Sequence, residues 1–463
     1  MRKITALFLL SILFISTSGV VSAQSSNEIL IKNATILTAT KGTLEGSDIL
    51  IQNGKIARIG KGLTTTGRTI DATGKFVSPG IIDAHSHTMG DGNINEGSFS
   101  VTSMTRIRDI LNPKDISIYR ALAGGVTAIN ILHGSANSIG GQNSVVKLKW
   151  GKQVEEFLIP EAPPGIKFAM GENPKRQSNF GPNSRQRYPR TRMGVIETMR
   201  DAFVRARDYK QTLDDFKAGK TKIPPRRDLE LEPLVEVLEG KRDVHCHGYR
   251  SDEHLNLLRL AEEFGFKIKV LQHGLEAYKI APEIAKHGAT ASIFADSWSY
   301  KLEAYDSIPY NAYVLWKAGV NVSINSDSDE RMRRLNLDAA KVMKYGGVPE
   351  QDALKMITIN PAFQLGIDKR TGSIEVGKDA DLVIWNTHPF SVYARPETTF
   401  VEGVVYFDIA KDKEMRLAIE KERQDLEKAE PNRSGGNQPP SIPRERREAH
   451  RDHADGHDKG GNK

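Results

Sequence analysis

The feature that most constrains the fold is an alternation of apolar strands with amphipathic helices through the middle of the chain. The candidate strands span 80–85, 126–132, 143–150, 165–170, 242–247, 267–273, 290–294 and 320–325. Helical patterns such as 253–265 and 310–319 lie between most of them. Eight such units predict an α/β fold with a closed, TIM-like (β/α)8 barrel over 80–365. An open doubly wound sheet is the alternative, but no Gly-rich phosphate loop follows the first strand.

Both flanks of this region read as short strands. Residues 29–72 and 372–407 are β-branched, alternate in polarity and are punctuated by Gly and Asn. We therefore expect one composite β-sandwich domain, built from residues 27–79 and 366–407 at the two ends of the chain.

The extreme N-terminus is typical of a signal peptide. Residues 1–23 begin with Arg2 and Lys3, continue with an apolar stretch and end in the small residues Val21-Ser22-Ala23. A membrane anchor is the alternative, but Ser and Thr interrupt the apolar run, and no later run reaches spanning length. We expect cleavage and export to a periplasmic or secreted location, with no membrane attachment afterwards.

The C-terminus is rich in charge and poor in apolar residues. Residues 408–430 predict an exposed charged helix, and residues 431–463 predict a disordered tail of Pro, Gly, Asn, Arg and His. The tail histidines could bind a metal, although a solvated tail is the simpler interpretation.

The formal charge is +7, from 65 Lys and Arg against 58 Asp and Glu. Much of the excess lies in residues 173–192, which contain six basic residues and no acid after the strand at 165–170. One short loop is poor support for a nucleic-acid partner. At the mouth of a barrel its arginines would instead clamp a substrate carboxylate, since the guanidinium fork makes two parallel hydrogen bonds. The candidate residues are Arg185, Arg187, Arg190 and Arg192, and a solvated or interface loop is the alternative.

Histidine and aspartate recur where the candidate strands end. The positions are His85 and His87, His245 and His247, His273, and Asp327. Barrel enzymes place their chemistry at these carboxyl ends, and residues two apart on a strand share a face. Nitrogen and carboxylate ligands suit zinc or a similar divalent ion. A lone strand-end histidine is usually structural, but five histidines and an aspartate at four strand ends favour a metal site. The single cysteine, Cys246, excludes an intramolecular disulfide framework.

The motifs resemble those of the metal-dependent amidohydrolase superfamily, in particular an exported branch related to imidazolonepropionase and the Xaa-Pro dipeptidases. The segments that carry the resemblance are PGIIDAHSHTMG, QHG, SINSDSDE and NPAFQLGIDKRTGSIEVGKDADLVIWN. The resemblance as a whole covers residues 29–407, nearly all of the expected folded chain. The resemblance implies a distorted barrel, a composite β-sandwich and hydrolysis of an amide-type bond by metal-activated water.

The resemblance also implies roles for individual residues. The metal ligands would be His85, His87, His245, His273 and Asp327. His245 is matched through the similarity of VHCHG to the family pattern VxxHAYG, and His247 would support the site or contact substrate. Asp327 would also take the proton from water. One or two ions, with zinc favoured, would be bound.

A bridging ligand between two ions is expected at the fourth strand, where GIKFAMGENPKR offers two choices. Glu172 lies at the strand end, where a short carboxylate side chain reaches the mouth. Lys167 lies deeper, where a carboxylated lysine could reach the same point. We expect Glu172, with Lys167 as the alternative.

Together these patterns predict a hydrolase acting on a small molecule such as a dipeptide, an N-acyl amino acid or a cyclic amide. A deaminase of the same superfamily is the alternative enzyme. A non-catalytic exported metal-binding protein is the alternative outside enzymes, but binding alone needs no base beside the ions. A homo-oligomer is compatible with the sequence.

Overall fold

The computed structural model describes residues 28–175, 187–297 and 299–429. The expected signal peptide 1–23, the expected tail 431–463 and Arg185 lie outside these ranges. Within them the chain is a mixed α/β protein. No helix there is both long enough and apolar enough to cross a membrane.

The described strands are β1 (Glu28–Leu37), β2 (Thr43–Gln52), β3 (Lys55–Gly60), β4 (Arg68–Asp71), β5 (Phe76–Pro79), β6 (Ile81–Ser86), β7 (Val126–Ile131), β8 (Ile139–Gln142), β9 (Ser144–Lys147), β10 (Gly165–Ala169), β11 (Asp243–Gly248), β12 (Ile268–His273), β13 (Thr290–Ile293), β14 (Val322–Ile324), β15 (Leu382–Trp385), β16 (Pro396–Val401) and β17 (Val404–Asp408). The described α-helices are α1 (Ile116–Ala123), α2 (Val154–Phe157), α3 (Glu172–Lys175), α4 (Arg192–Lys217), α5 (Glu232–Leu238), α6 (Ser251–Phe264), α7 (Ala281–His287), α8 (Asn311–Lys317), α9 (Leu335–Gly346), α10 (Glu350–Lys355), α11 (Ile359–Gln364) and α12 (Ile409–Ala429). Short 3-10 turns occupy Ile107–Ile110, Ala277–Ile280, Leu302–Ala304 and Met332–Arg334.

The two ends of the chain build one sheet together. β5 pairs in parallel with β1 and antiparallel with β15, so it joins the N-terminal strands to the C-terminal ones. The eight strands are ordered β17-β16-β15-β5-β1-β2-β3, with β4 paired to β1. Ile31 and Ile49 from one end share an apolar core with Leu382 and Phe400 from the other. Hydrogen bonds and a common core therefore unite the two ends.

The middle of the chain supplies two further sheets. One has the order β14-β13-β12-β11-β10-β8, in which β10 to β14 are parallel, and the other has the order β6-β7-β9. Every residue of β6 is buried, as expected for a parallel strand covered on both faces. The backbone N–H of Asp327, beyond β14, donates to the carbonyl of His85 in β6 at 3.2 Å. The carboxyl ends of β6 and β14 are therefore adjacent.

The segment 143–150 differs from the prediction of eight parallel strands. β9 runs antiparallel to β7, and β8 runs antiparallel to β10. The residues between β7 and β9 contain β8 and no helix. Without a helical crossover the chain does not return in parallel. The prediction of a parallel barrel strand is wrong for this segment.

The charged segment 408–430 contains α12, which is exposed over most of its length. Its buried residue is Asp412, whose carboxylate accepts a hydrogen bond from the Tyr119 hydroxyl at 3.1 Å. This contact attaches the start of α12 to α1.

Candidate metal centre

The end of β6 and the segment after β14 bring three polar side chains together. Asp327 Oδ1 lies 3.1 Å from His87 Nε2 and 3.4 Å from His85 Nε2. One ligand atom from each of these residues lies within 4.8 Å of the other two, close enough for a single metal ion. The HxH motif and the aspartate after the eighth predicted strand, some 240 residues apart in sequence, therefore meet.

His273, the last residue of β12, extends this group. Its Nε2 lies 3.7 Å from Asp327 Oδ2, and its ring centroid lies 4.4 Å from that of His85. The side chain is completely buried, yet neither ring nitrogen has a hydrogen-bond partner among the described residues. A buried polar atom without a partner costs free energy. A cation bound beside Asp327 would give this imidazole the partner that it lacks.

The backbone is strained where these ligands lie. His273 has φ +72° and Asp327 has φ +48°, both in the left-handed region that non-glycine residues rarely adopt. Strain of this kind costs about 1–3 kcal/mol per residue and concentrates at functional sites. It supports a functional role for the two positions.

Asp83 ties the two sides of the centre together. Its carboxylate accepts hydrogen bonds from the His85 N–H at 3.1 Å, the Ser326 N–H at 3.2 Å and the Ser326 hydroxyl. Burial raises the pKa of Asp83 to about 7. Because it contacts both β6 and the residue before Asp327, Asp83 holds the carboxylate of Asp327 against the histidines. The sequence carried a signal for it, since Asp83 lies two residues before His85 on the same strand face.

The protonation of the histidines next to Asp327 suits metal binding. Burial lowers the pKa of His85 well below its ordinary value and that of His273 to about 3, so both rings are neutral near pH 7. His87 Nδ1 lies 2.9 Å from the Leu132 carbonyl oxygen, which can only accept. The proton of a neutral His87 is therefore on Nδ1, and Nε2 presents its lone pair to the centre. Burial by itself would raise the pKa of Asp327, whereas a proton on the facing nitrogen of His85 or His87 would lower it well below its ordinary value.

The structure separates the two candidate bridging residues. Lys167 is completely buried, and its Nζ lies 3.2 Å from His85 Nε2. Burial lowers the pKa of Lys167 to about 8. Glu172 is half-buried at the start of α3 and lies outside the three-residue metal group, and its backbone N–H donates to Glu303 at 2.9 Å. The geometry favours Lys167, against the preference for Glu172 drawn from the sequence.

The two histidines of β11 have different neighbours, although each is 2% exposed. The His247 ring lies 4.8 Å from that of His273, and its Nε2 lies 3.3 Å from the Asn173 amide nitrogen. His245 Nδ1 instead lies 3.3 Å from the Gln272 amide nitrogen. The structure therefore places His247 beside a candidate ligand and His245 beside Gln272. The choice of His245 as ligand rested on VHCHG, in which the third residue after Val is in fact His247.

The described arginines of the basic loop are engaged by the protein itself. Arg187 donates to the carbonyls of Gly97 at 2.7 Å and Ala136 at 2.8 Å, and also to that of Phe99. Burial lowers its pKa to about 10.

Arg192 pairs with Asp252 at 2.7 Å and with Glu253 at 2.5 Å. These contacts join Arg187 to neighbouring loops and Arg192 to α6, so they do not support either residue as a carboxylate clamp.

Comparison with known proteins gives concordant results. The model of the amidohydrolase family matches residues 76–412. The amidohydrolase tasK of Hapsidospora irregularis is 32% identical over 396 residues, covering 78% of this chain but only 40% of tasK. The imidazolonepropionase of Thermoplasma volcanium is 24% identical over 362 residues, covering 74% of this chain and 84% of that protein. The crystal structure of an amidohydrolase from Thermotoga maritima MSB8 is 38% identical with a TM-score of 0.76, covering 82% of this chain and 100% of that one.

Proposed function

The chain belongs to the amidohydrolase family, and from that premise we propose that it is an exported, metal-dependent hydrolase of a small amide. Residues 76–412 form a hydrolytic domain of a family that acts on carbon–nitrogen bonds in small molecules and generally uses divalent metals. The proposed substrates are a dipeptide, an N-acyl amino acid or a cyclic amide.

The observation that carries the proposal is the convergence of His85, His87 and Asp327 within 4.8 Å. These residues, with His273, would hold the first ion, and their nitrogen and carboxylate donors suit zinc. The unpartnered ring of His273 fits this assignment. A divalent cation bound there would supply a Lewis acid that polarises the scissile carbonyl and acidifies a water molecule.

Asp327 is the proposed proton carrier. As a carboxylate beside the ion it would accept a proton from the attacking water. It can then return that proton to the leaving nitrogen. Asp83 keeps the Asp327 segment against β6 during this exchange, because it accepts hydrogen bonds from both sides.

Lys167 is the proposed bridging residue if two ions are bound. With its pKa lowered to about 8, more of the amine is neutral near pH 7 than in an ordinary lysine. A neutral amine can add to carbon dioxide and release a proton, which converts a buried cation into an anionic carbamate. An anion at this depth would match the neighbouring cations and remove the cost of a buried, unpaired ammonium.

Aromatic rings form one side of the centre. Phe294 stacks on His273 with ring centroids 4.7 Å apart, and Tyr249 packs edge-on against His247 at 4.8 Å. This side suits an apolar part of the substrate. Arg187 and Arg192 already contact other parts of the protein, so these two residues are left out of the proposed recognition of a substrate carboxylate.

The proposal includes a closed barrel, a β-sandwich, a cleaved signal peptide and a C-terminal tail. The two inner sheets would close into a distorted barrel over 80–365, which the contact of Asp327 with β6 supports. The outer sheet would fold into a sandwich formed by 27–79 and 366–407. Residues 1–23 would be cleaved on export, and 431–463 would remain as a tail.

The proposal is tested by metal analysis and a substrate panel on one preparation. The mature enzyme, which lacks residues 1–23, is loaded with zinc or manganese, and its metal content is measured. Hydrolysis of dipeptides, N-acyl amino acids and cyclic amides is followed by release of the new amine, and ammonia is assayed in parallel. Chelator-sensitive amine release is the expected result. Ammonia release alone would identify a deaminase instead, and a protein that retains no divalent metal would contradict the proposal.

A further inference from the structure

Gln272 lies between two buried histidines and contacts both through its amide. Its Oε1 lies 3.1 Å from His85 Nδ1, and its Nε2 lies 3.3 Å from His245 Nδ1. The same Nε2 lies 3.3 Å from the carbonyl oxygen of Ala84. Gln272, on β12, is completely buried. Each of these contacts must therefore join a donor to an acceptor, because water cannot replace a mismatched one.

The carbonyl of Ala84 determines which end of the amide is which. A carbonyl oxygen only accepts, so the amide group facing it must be the NH₂. The second N–H of that group points to His245 Nδ1, which must accept. The amide oxygen on the opposite side faces His85 Nδ1, which must donate. The two imidazoles therefore carry their protons on different nitrogens.

We propose that Gln272 is a positioning residue that imposes opposite tautomers on His85 and His245 and thereby decides which of them binds the metal. The inference rests on the proposed function and deepens it. His85 carries its proton on Nδ1, so the lone pair of Nε2 is available beside Asp327 Oδ1, 3.4 Å away. His245 carries its proton on Nε2, and its Nδ1 lone pair is used by Gln272. His245 therefore has no free lone pair for a cation.

The arrangement resists reversal. To let His245 present Nε2 to a metal, Gln272 would have to rotate its amide and turn its oxygen toward the carbonyl of Ala84. Two acceptors would then face each other, and His85 Nδ1 would face an N–H instead of an oxygen. Both mismatches would be buried, where a polar group without a matching partner is strongly disfavoured. His247 is then the β11 histidine left for the metal, since a cation can replace the hydrogen-bond contact of its Nε2 with Asn173.

The tautomers are directly observable. Full-length enzyme labelled with ¹⁵N-histidine is recorded by two-bond ¹H–¹⁵N correlation before and after zinc loading, with His245→Gln and His85→Gln used for assignment. We expect His245 to show the Nε2–H form in both states. We expect His85 to show the Nδ1–H form, with a shift of its Nε2 resonance on zinc binding. Loss of the Nε2–H form of His245 on zinc loading would overturn the inference.

Zinc affinity gives a second readout that does not depend on activity. His245→Gln and His247→Gln are a matched pair, two residues apart on β11 and equally buried at 2% exposure. By competition with a chelator, His247→Gln should weaken zinc at least 10–100-fold, whereas His245→Gln should stay within about threefold of wild type. Equal losses in the two variants would overturn the inference.

The residue itself is tested by Gln272→Leu and Gln272→Glu. Leu removes the acceptor of His85 and should weaken zinc about 10–100-fold, the usual effect of losing a partner behind a ligand. Glu keeps an acceptor for His85 and should weaken zinc less than Leu does. The reverse order would contradict the role of Gln272. Zinc-binding wild type with a His245 ligand would overturn this inference alone, whereas wild type that binds no zinc would overturn the proposed function as well.

Discussion

Two lysines among the described residues are completely buried, and their surroundings are opposite. Lys147, on β9, pairs with Asp379 at 2.6 Å, Asp381 at 2.9 Å and Glu402 at 3.2 Å. Lys167, on β10, lies 3.2 Å from His85 Nε2, and no carboxylate of the described ranges lies within ion-pair distance of it. Burial disfavours the cation in both cases. Asp381 and Asp379 nevertheless hold the pKa of Lys147 above its ordinary value, whereas the pKa of Lys167 falls to about 8.

The difference distinguishes a structural cluster from a functional one. The Lys147 cluster joins the outer sheet to the inner sheets and compensates its own charges, so its removal should cost stability. Around Lys167, the described residues give this lysine no ion pair and the His273 ring no hydrogen bond, and the backbone of His273 and Asp327 is strained. Such a combination is expected where a bound ligand completes the site. The GKDADLVI segment therefore belongs to the structural cluster, although it resembles a family signature as clearly as the HxH motif does.

The largest expected effect is a loss of activity that follows substitution of the aspartate near Lys167 but not of the aspartate near Lys147. Asp327→Asn should lower hydrolysis about 10²–10⁴-fold, because it removes the proposed proton acceptor. Asp379→Asn, in the structural cluster, should leave the turnover of the folded protein near wild type and lower its stability. The measurement is kcat on whichever substrate the panel identifies, with folding checked by circular dichroism. Comparable turnover in the two variants would remove Asp327 from the mechanism.

The second prediction exchanges the two lysines for methionine. Lys147→Met should lower the free energy of unfolding by about 3–5 kcal/mol, because it leaves buried carboxylates unpaired. Lys167→Met should be neutral or slightly stabilising, because it removes a buried cation that has no carboxylate partner. Urea unfolding in the presence of a chelator measures the free energy of unfolding of both variants without a contribution from bound metal.

A matched control for this pair is Lys149→Met. Lys149 contacts the outer part of the same cluster, with its Nζ 2.7 Å from Glu402 and 16% of its side chain exposed. Its loss should cost about 1 kcal/mol or less. If Lys147→Met cost no more than Lys149→Met, the distinction between the two clusters would fail.

The third prediction concerns the stability of the folded protein at acidic pH. Burial alone would raise the pKa of Asp379, but Lys147 holds it at about 2, against an ordinary 3.8. A lowered folded-state pKa stabilises the protein above pH ~4, and that contribution is lost as the pH falls from about 4 to 2. The lowering of this pKa corresponds to at most about 2 kcal/mol of stability. The stability gap between wild type and Asp379→Asn, measured by urea unfolding without metal, should therefore narrow over this pH range. A gap that stays constant would show that ionisation of Asp379 is not its origin.

The smallest expected effect is that of Glu172→Gln, which should leave zinc content unchanged because the geometry favours Lys167 as the bridge. Lys167→Ala is the comparison, and it should lower a two-zinc protein toward one. Metal content by plasma mass spectrometry reads both. A loss of zinc confined to Glu172→Gln would restore the expectation drawn from the sequence. If neither variant changes the zinc content, the site holds one ion and imidazolonepropionase is the better guide.

Many strands, helices and candidate site residues could be predicted from the local sequence pattern. Strand ends, the HxH motif and the aspartate after β14 are visible in the sequence because burial and period-two alternation act over a few residues. The same signals placed α6 and α8 and the strands at both ends of the chain. They failed at 143–150, where the direction of a strand depends on its partners and not on its own composition.

The sequence by itself determined which residue types reach the carboxyl ends of the strands, since that depends on strand period and length. Only the tertiary structure decided which of them face one another. His245 and His247 lie on the same face of β11 and are equally buried. His245 nevertheless contacts Gln272, whereas His247 lies beside the candidate ligand His273. Likewise Lys147 and Lys167 are both lysines in buried strands, and the carboxylates that distinguish them arrive from residues more than 200 positions away. Contacts at such separations are set by how sheets pack, so a local pattern of side chains cannot specify them.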